Sequence, residues 1–408
     1  MNDPDLIPHL FRTEFRKITA VLCKHFGMLH LEVAEDIAGE SFLAALETWP
    51  FKGLPANPVA WLYAVASNKA KNHMHRHQLF TGKISGALQR PASSVEEPDI
   101  DLSDQNISDS QLQMIFAVCH PSIPAEAQIA LALRVLCGFG IDEIASAFLS
   151  SKDTINKRLF RAREKLRSEN INIELPPAAE ITKRLDTVLT TLYLLFSEGY
   201  YSETQDTVLR EELCQEAIRL VQMLIDNPST NTPETNALLS LMCFHASRFP
   251  ARKTTNGELI LYDEQDESLW DQQLIARGAY HLHKASVGDN VSRYHLEAGI
   301  AYWHTVKTDA TEKWENILQL YNQLLLVAYS PVAALNRTFA LAKANGKQEA
   351  IIEAGKLQLH DNLYFHMLLG ELYSGSDDHL AKKYFQQALS LAKTEPDKRT
   401  ITRRIEGL

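Results

Sequence analysis

Residues Gly138 to Arg167 read GFGIDEIASAFLSSKDTINKRLFRAREKLR, and the fold is decided by how this stretch divides. At about 100° of rotation per residue, Ile155, Leu159, Ala162 and Leu166 form one narrow stripe of a helix. Thr154, Arg158, Arg161 and Lys165 share another face, so the helix packs by one side and is basic on a second. Ahead of it, Ile141, Ile144, Ala145 and Phe148 make the apolar side of a shorter helix. Ser150 or Ser151 can cap the longer one, with Asp153 or Thr154 three residues on. Two short helices joined by a tight turn, the second basic, predict a helix-turn-helix whose second helix suits a DNA groove.

Working outward, the chain has 408 residues, is 45% hydrophobic and carries a formal net charge of −10. That length predicts two to four domains, each with its own core. The acidity opposes nucleic-acid binding only as a total. Residues 91–130 carry 0 Lys and Arg against 7 Asp and Glu, residues 131–170 carry 8 against 5, and residues 171–408 carry 23 against 31. Positive charge is therefore concentrated where the helix-turn-helix lies. The five cysteines, Cys23, Cys119, Cys137, Cys214 and Cys243, show no CxxC spacing and sit in apolar helical contexts, so buried reduced thiols are expected. The N-terminal MNDPDLIPHL has no apolar signal core, and no run approaches the roughly 18 apolar residues of a membrane span. A cytoplasmic location without membrane contact is expected.

Towards the N-terminus, Phe11, Phe15, Ile18, Leu22 and Phe26 recur at helical spacing over Leu10–Phe26. A second helix, Leu31–Trp49, is apolar on more than one side and carries Glu35, Asp36 and Glu40 within about one turn. Taken alone, that acidic cluster reads as a solvated face. A loop from Pro50 to Asn57 follows, with Asn57 as cap and Pro58 opening the next helix. From Pro58 to His77 that helix begins apolar at Trp61 and Val65. It continues through Asn68 and Asn72, flanked by Lys69, Lys71, His73 and Arg76, a surface suited to stacking on bases and bonding phosphates. His73, His75 and His77 have no Cys or carboxylate at ligand spacing, so no metal site and no cofactor are expected.

Residues 80–108 lose periodicity and include SSVEEPDIDLSDQN, the composition of an acidic linker. Helical patterning resumes at Asp109–Val118 and Pro124–Cys137. Pro176-Pro177 marks a further boundary. Beyond it, Ile181–Phe196, Leu209–Ile225, Glu234–Phe249, Ser268–Ala285, Tyr294–Thr305 and Trp314–Ala328 read as helices, with a short strand-like GELILYD at Gly257–Asp263. Gly370, Tyr373, Ala381, Phe385 and Ala388 follow the small and aromatic spacing of a tetratricopeptide unit, one residue short between Tyr373 and Ala381. Leu335, Phe339 and Ala350 give a weaker echo upstream.

These blocks, in this order, resemble the extracytoplasmic-function sigma factors of bacterial RNA polymerase. AEDIAGESFLAALETWP and NPVAWLYAVASNKAKNHMHRH are similar to region 2, and Asp109–Arg167 to region 4. LYLLFSEGYY, ARKTTNGELILYDEQDESLWDQQLIARG and SPVAALNRTFALA resemble the long subgroup with a C-terminal tetratricopeptide-like extension. The resemblance implies an all-α chain divided into a region-2 bundle (1–79), a flexible acidic linker (80–108), a region-4 helix-turn-helix (109–170) and a helical regulatory extension (176–408), its repeats near 320–408.

It also implies roles for particular residues. Glu35, Asp36 and Glu40 would face core RNA polymerase. Phe51, Lys52, Trp61, Asn68, Lys69, Asn72 and Arg76 would meet the −10 element, where a pocket for an extruded base offsets the cost of unstacking. Lys152, Thr154, Lys157, Arg158 and Arg161 would reach the −35 element, where an Arg bidentate to guanine reads sequence and a Lys on phosphate positions the helix. Three positions depart from the family pattern: Gly39 for Gln, Asn72 for Asp and Leu149 for Gly.

The partners implied are core polymerase and promoter DNA, together with contact between the acidic extension and the sigma modules. A helix-turn-helix regulator with a tetratricopeptide sensor that never engages polymerase is the alternative. Glu198, Asp263, Glu264, Asp266, Asp271 and His281 or His283 could be assembled into an acid/base or metal cluster. No HExxH, GxSxG, phosphate-loop or dinucleotide fingerprint accompanies them, and no enzymatic activity is expected.

Overall fold

A computed structural model describes residues 6–27, 30–84, 100–148, 150–201, 207–252, 260, 264–306, 311–392 and 394–408. Helices and short helical turns are the regular structure among them, with no strand. The strand-like segment Gly257–Asp263 and the turn residue Leu149 lie outside the described residues, apart from Ile260. The chain divides into two compact units, Met1–Thr230 and Asn231–Leu408.

In the first unit, α1 (Leu6–Phe26) buries Phe15, Ile18 and Leu22, which share one face by their spacing. It packs on α2 (Leu31–Lys52) and α3 (Pro58–Ile84), completing a helical bundle. Phe11 contributes an edge-on contact to Phe42, ring centroids 5.1 Å apart. Helix α4 (Asp104–Val118) starts five residues earlier than its apolar periodicity predicts, because Ser103 caps it by accepting a hydrogen bond from the Asn106 N–H. Ile100, inside the acidic stretch, is buried. Helix α5 (Ala125–Leu131) runs into a π-helical turn at Ala132–Leu136, then α6 (Ile141–Ala147) and α7 (Lys152–Ser168). Helices α8 (Ala178–Tyr201) and α9 (Thr207–Asp226) pair with each other and lean on these shorter helices. The Arg184 guanidinium donates to the Phe116 carbonyl at 2.6 Å, Thr191 Oγ1 to Gln128 Oε1 at 2.6 Å, and Arg219 to the Leu136 carbonyl at 2.9 Å.

The second unit is a succession of hairpins. Helix α10 (Pro233–Ala246) is buried on nearly every side, which explains its lack of amphipathic pattern. It packs between α11 (Gln272–Ala285) and α12 (Arg293–Trp303). Gly278 is required there: a Cβ would stand 2.7 Å from the Phe244 ring. Helices α13 (Thr311–Val327), α14 (Pro331–Asn345), α15 (Lys347–Ala354), α16 (Leu363–Tyr373), α17 (Asp378–Leu391) and α18 (Glu395–Glu406) then stack each on its neighbour in sequence. Leu335 and Ala350 are buried in the cluster around Trp314, with Phe339 edge-on to that indole at 5.6 Å. Ala381, Phe385 and Ala388 form a separate cluster with Ile401.

Candidate nucleic-acid interface

The helix-turn-helix is set by its caps. Gly138, at φ +76°, reverses the chain after the π-helical turn, a conformation that costs glycine least. The Gly140 N–H donates to Glu143 Oε2 at 2.6 Å and starts α6, while Ser151 Oγ accepts from the Thr154 N–H at 3.2 Å and starts α7. Between them the Ser150 N–H donates to the Ala145 carbonyl at 2.9 Å, tightening the turn. Ile155, Leu159, Ala162 and Leu166 are buried as their spacing requires.

The outer face of α7 then presents Lys152, Thr154, Lys157 and Arg161 to solvent. Lys152 Nζ meets Asp142 at 2.7 Å with both side chains mostly exposed, a pair of little energetic weight that phosphate can displace. Arg158 is turned inward: it pairs with Glu126 at 2.8 Å and lies over the Phe148 ring at 5.5 Å. Phe160, 64% exposed, stands on the outer face beside Lys157 and Arg161. Helical spacing alone puts Phe160 off the buried stripe, which is the signal by which it could have been found.

A second surface lies on α2 and α3. Helix α2 continues through Pro50 to Lys52, so Phe51 and Lys52 belong to its last turn and the loop begins at Gly53, φ +82°. Pro50 has no N–H to donate, so the last turn gives up one i→i−4 hydrogen bond there. Phe51 is 89% exposed, an aromatic ring held out by a rigid helix end. Asn57 Oδ1 accepts from the Ala60 N–H at 3.0 Å and caps α3. Trp61 packs edge-on against Trp49, ring centroids 5.4 Å apart, which anchors the loop from beneath. Asn68, Asn72 and Arg76 are exposed along the same helix.

The three acidic residues of α2 separate. Asp36 and Glu40, four apart, share a face and line a groove of about 290 Å³ with Lys69, Asn72, His73 and Arg76. Lys69 Nζ donates to Glu40 at 2.8 Å, and this bond holds the Glu40 carboxyl below its usual range. Glu35 points elsewhere, its side chain 11% exposed, with Arg134 Nε at 3.3 Å and Arg163 Nη2 at 3.1 Å. Arg163 also reaches Glu32 at 3.7 Å. Neither Arg134 nor Arg163 is singled out by sequence reasoning, since the partners lie some hundred residues from Glu35 along the chain. Cys23, buried nearby, has its thiol pKa pushed far up, by burial first and by the Glu35 charge second.

His73 contacts the Phe26 ring at 5.9 Å, and the side chain of His77 lies outside the described residues. No group of three or more His, Cys, Asp or Glu among the described residues could hold a metal ion. Four of the residues considered for catalysis have other partners, and Asp263 lies outside the described residues. Asp271 caps α11, Asp266 accepts from the Ser268 N–H, Glu264 pairs with Arg404 at 2.8 Å, and His281 bonds Asn236 at 2.9 Å. All five cysteines are buried and unbridged. No helix among the described residues is long and apolar enough to cross a membrane.

Residues 113–166 match the family of sigma-70 region 4, and residues 184–286 match a family of unknown function. An uncharacterized protein of Rhizobium meliloti is 31% identical over 388 residues, covering 93% of this chain and 90% of its own. The RNA polymerase sigma-H factor of Pseudomonas aeruginosa is 30% identical over 144 residues, 32% of this chain and 69% of that factor. The ECF RNA polymerase sigma-E factor of Haemophilus influenzae is 27% identical over 139 residues, 33% of this chain and 72% of that factor. No solved structure matches.

Proposed function

Because this chain belongs to the sigma-70 family of RNA polymerase sigma factors, we propose that it binds core RNA polymerase and directs it to promoters, in the manner of an extracytoplasmic-function factor of the long subgroup. The observation that carries this reading is the α6–α7 hairpin within the region-4 match. Its inner stripe is closed and its outer face offers Lys152, Thr154, Lys157 and Arg161 to a groove. Arg158 joins that set once the −35 phosphates or bases compete with Glu126, an exposed carboxylate, for its guanidinium.

On the other surface, Phe51, Lys52, Trp61, Asn68, Lys69, Asn72 and Arg76 would hold the −10 element. The exposed Phe51 ring supplies a stacking platform, and the amides supply hydrogen bonds to an extruded base. Glu35, Asp36 and Glu40 would meet basic residues of the polymerase. The domains then run in order, with region 2 over 1–79, an acidic linker at 80–108, region 4 over 109–170 and a regulatory extension from 176. Neighbour-on-neighbour stacking over α13–α18, with Gly370 set against Phe385, supports a tetratricopeptide-like extension.

The test is transcription from a fragmented genomic library with the purified full chain and core polymerase. Defined transcripts and co-elution with core are expected. DNA binding by the chain with neither transcripts nor co-elution would favour a helix-turn-helix regulator that does not engage polymerase.

A further inference from the structure

Two turns of the second unit hold apolar side chains out in solvent. Helices α11 to α14 are joined by connections of at most seven residues, which makes packed neighbours antiparallel and puts the α11–α12 and α13–α14 turns at the same edge. On α13 the buried stripe runs through Trp314, Ile317, Leu318, Tyr321 and Leu324. Leu326, two residues past its end, falls on the far side of the helix and is 89% exposed. Val327, Tyr329 and Val332 beside it, and Val287 and Val291 on the other turn, are each more than half exposed.

Both turns are braced. The Ala328 N–H donates to the Leu324 carbonyl at 2.7 Å and Ser330 Oγ accepts from the Ala333 N–H at 3.1 Å, so α13 closes and α14 opens within three residues. Pro331, at the start of α14, fixes the direction of exit. On the other turn His295 joins both ends, with Nδ1 2.8 Å from Ser292 Oγ and Nε2 3.1 Å from the Ala285 carbonyl oxygen. Apolar side chains held out by a braced backbone lose little freedom when they are covered. Charge is withdrawn from the same edge: the sequence has none between Glu315 and Arg337, and one carboxylate, Asp289, between Ala285 and Arg293.

We propose that this edge binds the same edge of a second copy of the chain. Six side chains at such exposure offer on the order of 100 Å² each, or roughly 600 Å² together, the upper end for the largest apolar patch on a typical monomer. With the polar rim around them, that matches the about 800 Å² each partner brings to a stable interface. The lack of charge selects the occupant. In a two-fold pairing a surface meets its own copy, so a charged edge would face like charge, whereas an uncharged apolar edge pairs with itself without that cost. Every residue assigned above to DNA or to polymerase belongs to the first unit, so self-association stands apart from the sigma-factor reading.

The test is sedimentation equilibrium of the full chain from about 0.1 to about 100 μM, which reads its mass. Leu326→Glu and Val332→Glu alter the edge, and Leu269→Glu is the control, an exposed leucine just before the opposite end of α11. Circular dichroism checks that the helices persist in each. Twice the chain mass is expected above about 10 μM for the wild type and L269E, with the dissociation constant raised about tenfold or more in L326E and V332E. A wild type that stays single at about 100 μM would overturn the pairing. So would edge variants that remain dimeric, or an equal loss of dimer in L269E, which would place the contact elsewhere. A single wild type whose affinity for core polymerase falls about tenfold in L326E would give the edge to polymerase and overturn self-association.

Discussion

Two hairpins of nearly equal size, α6–α7 and α16–α17, have opposite designs. In α6–α7 the interior is aliphatic and small, with Ile144, Ala145, Ile155, Leu159 and Ala162 closing without interlock, and the cations stand outside it. In α16–α17 the interior is the specific part. Phe385 lies where a Cβ on residue 370 would be 2.5 Å from its ring, and Tyr373 stacks on Tyr384 with centroids 5.6 Å apart and planes 16° from parallel. A hairpin that must present charge to a groove needs only a generic core. One that builds a stacked array needs a shape that fits one neighbour.

The largest expected effect tests the generic core. Leu159→Ala should cost about 2–5 kcal/mol in chemical denaturation of the full chain, as buried leucine deletions do, and Leu159→Met less than about 1.5. Gly370→Ala sharpens the contrast. The added methyl meets a ring that has no room to withdraw, and a loss of about 1–3 kcal/mol is expected. A tolerated Ala at residue 370 would show that α16–α17 is no more specific than α6–α7. Arg161→Gln should leave the denaturation midpoint unmoved and weaken binding to the cognate −35 duplex by about 1–3 kcal/mol, measured against a scrambled duplex at fixed salt.

Acid should separate the two units. Burial first, then Arg248 and Lys313, pushes the His304 pKa down to about 3. Between that value and the ordinary 6.5 the unfolded chain binds the extra proton. Stability of the second unit is therefore complete above about pH 6.5 and declines as pH falls, by on the order of 1 kcal/mol per pH unit. His304→Gln should flatten that slope in denaturation curves taken from pH 7 to 5. The smallest effect is a glycine of the opposite kind. Gly39 lies inside α2 with nothing within 4 Å of a built Cβ, so Gly39→Ala should stabilise by about 0.5–1 kcal/mol, where the same change at residue 370 destabilises.

The pattern of these residues explains what could be read in advance. Ile155, Leu159, Ala162 and Leu166 repeat at the helical period, and a local period depends only on the geometry of one helix. The buried stripe of α7 was legible for that reason, and its cap was narrowed to Ser150 or Ser151, of which the structure uses Ser151. Pro50 misleads because a proline reads as a break, whereas here α2 gives up one hydrogen bond and runs two residues further. The acidic stretch ahead of α4 was harder still. Ser103 and Ile100 look like linker residues, but one caps α4 and the other is buried.

By itself, then, the sequence determined the helical class and the polar faces of α3 and α7, because helix periodicity and caps are short-range properties. Tertiary structure alone decided that Glu35 meets Arg134 and Arg163, and that Arg158 turns inward to Glu126 and Phe148. It also decided which glycine faces a ring and which faces open space. Each of these depends on which distant helix arrives within a few ångströms, and no period along one helix encodes that arrival.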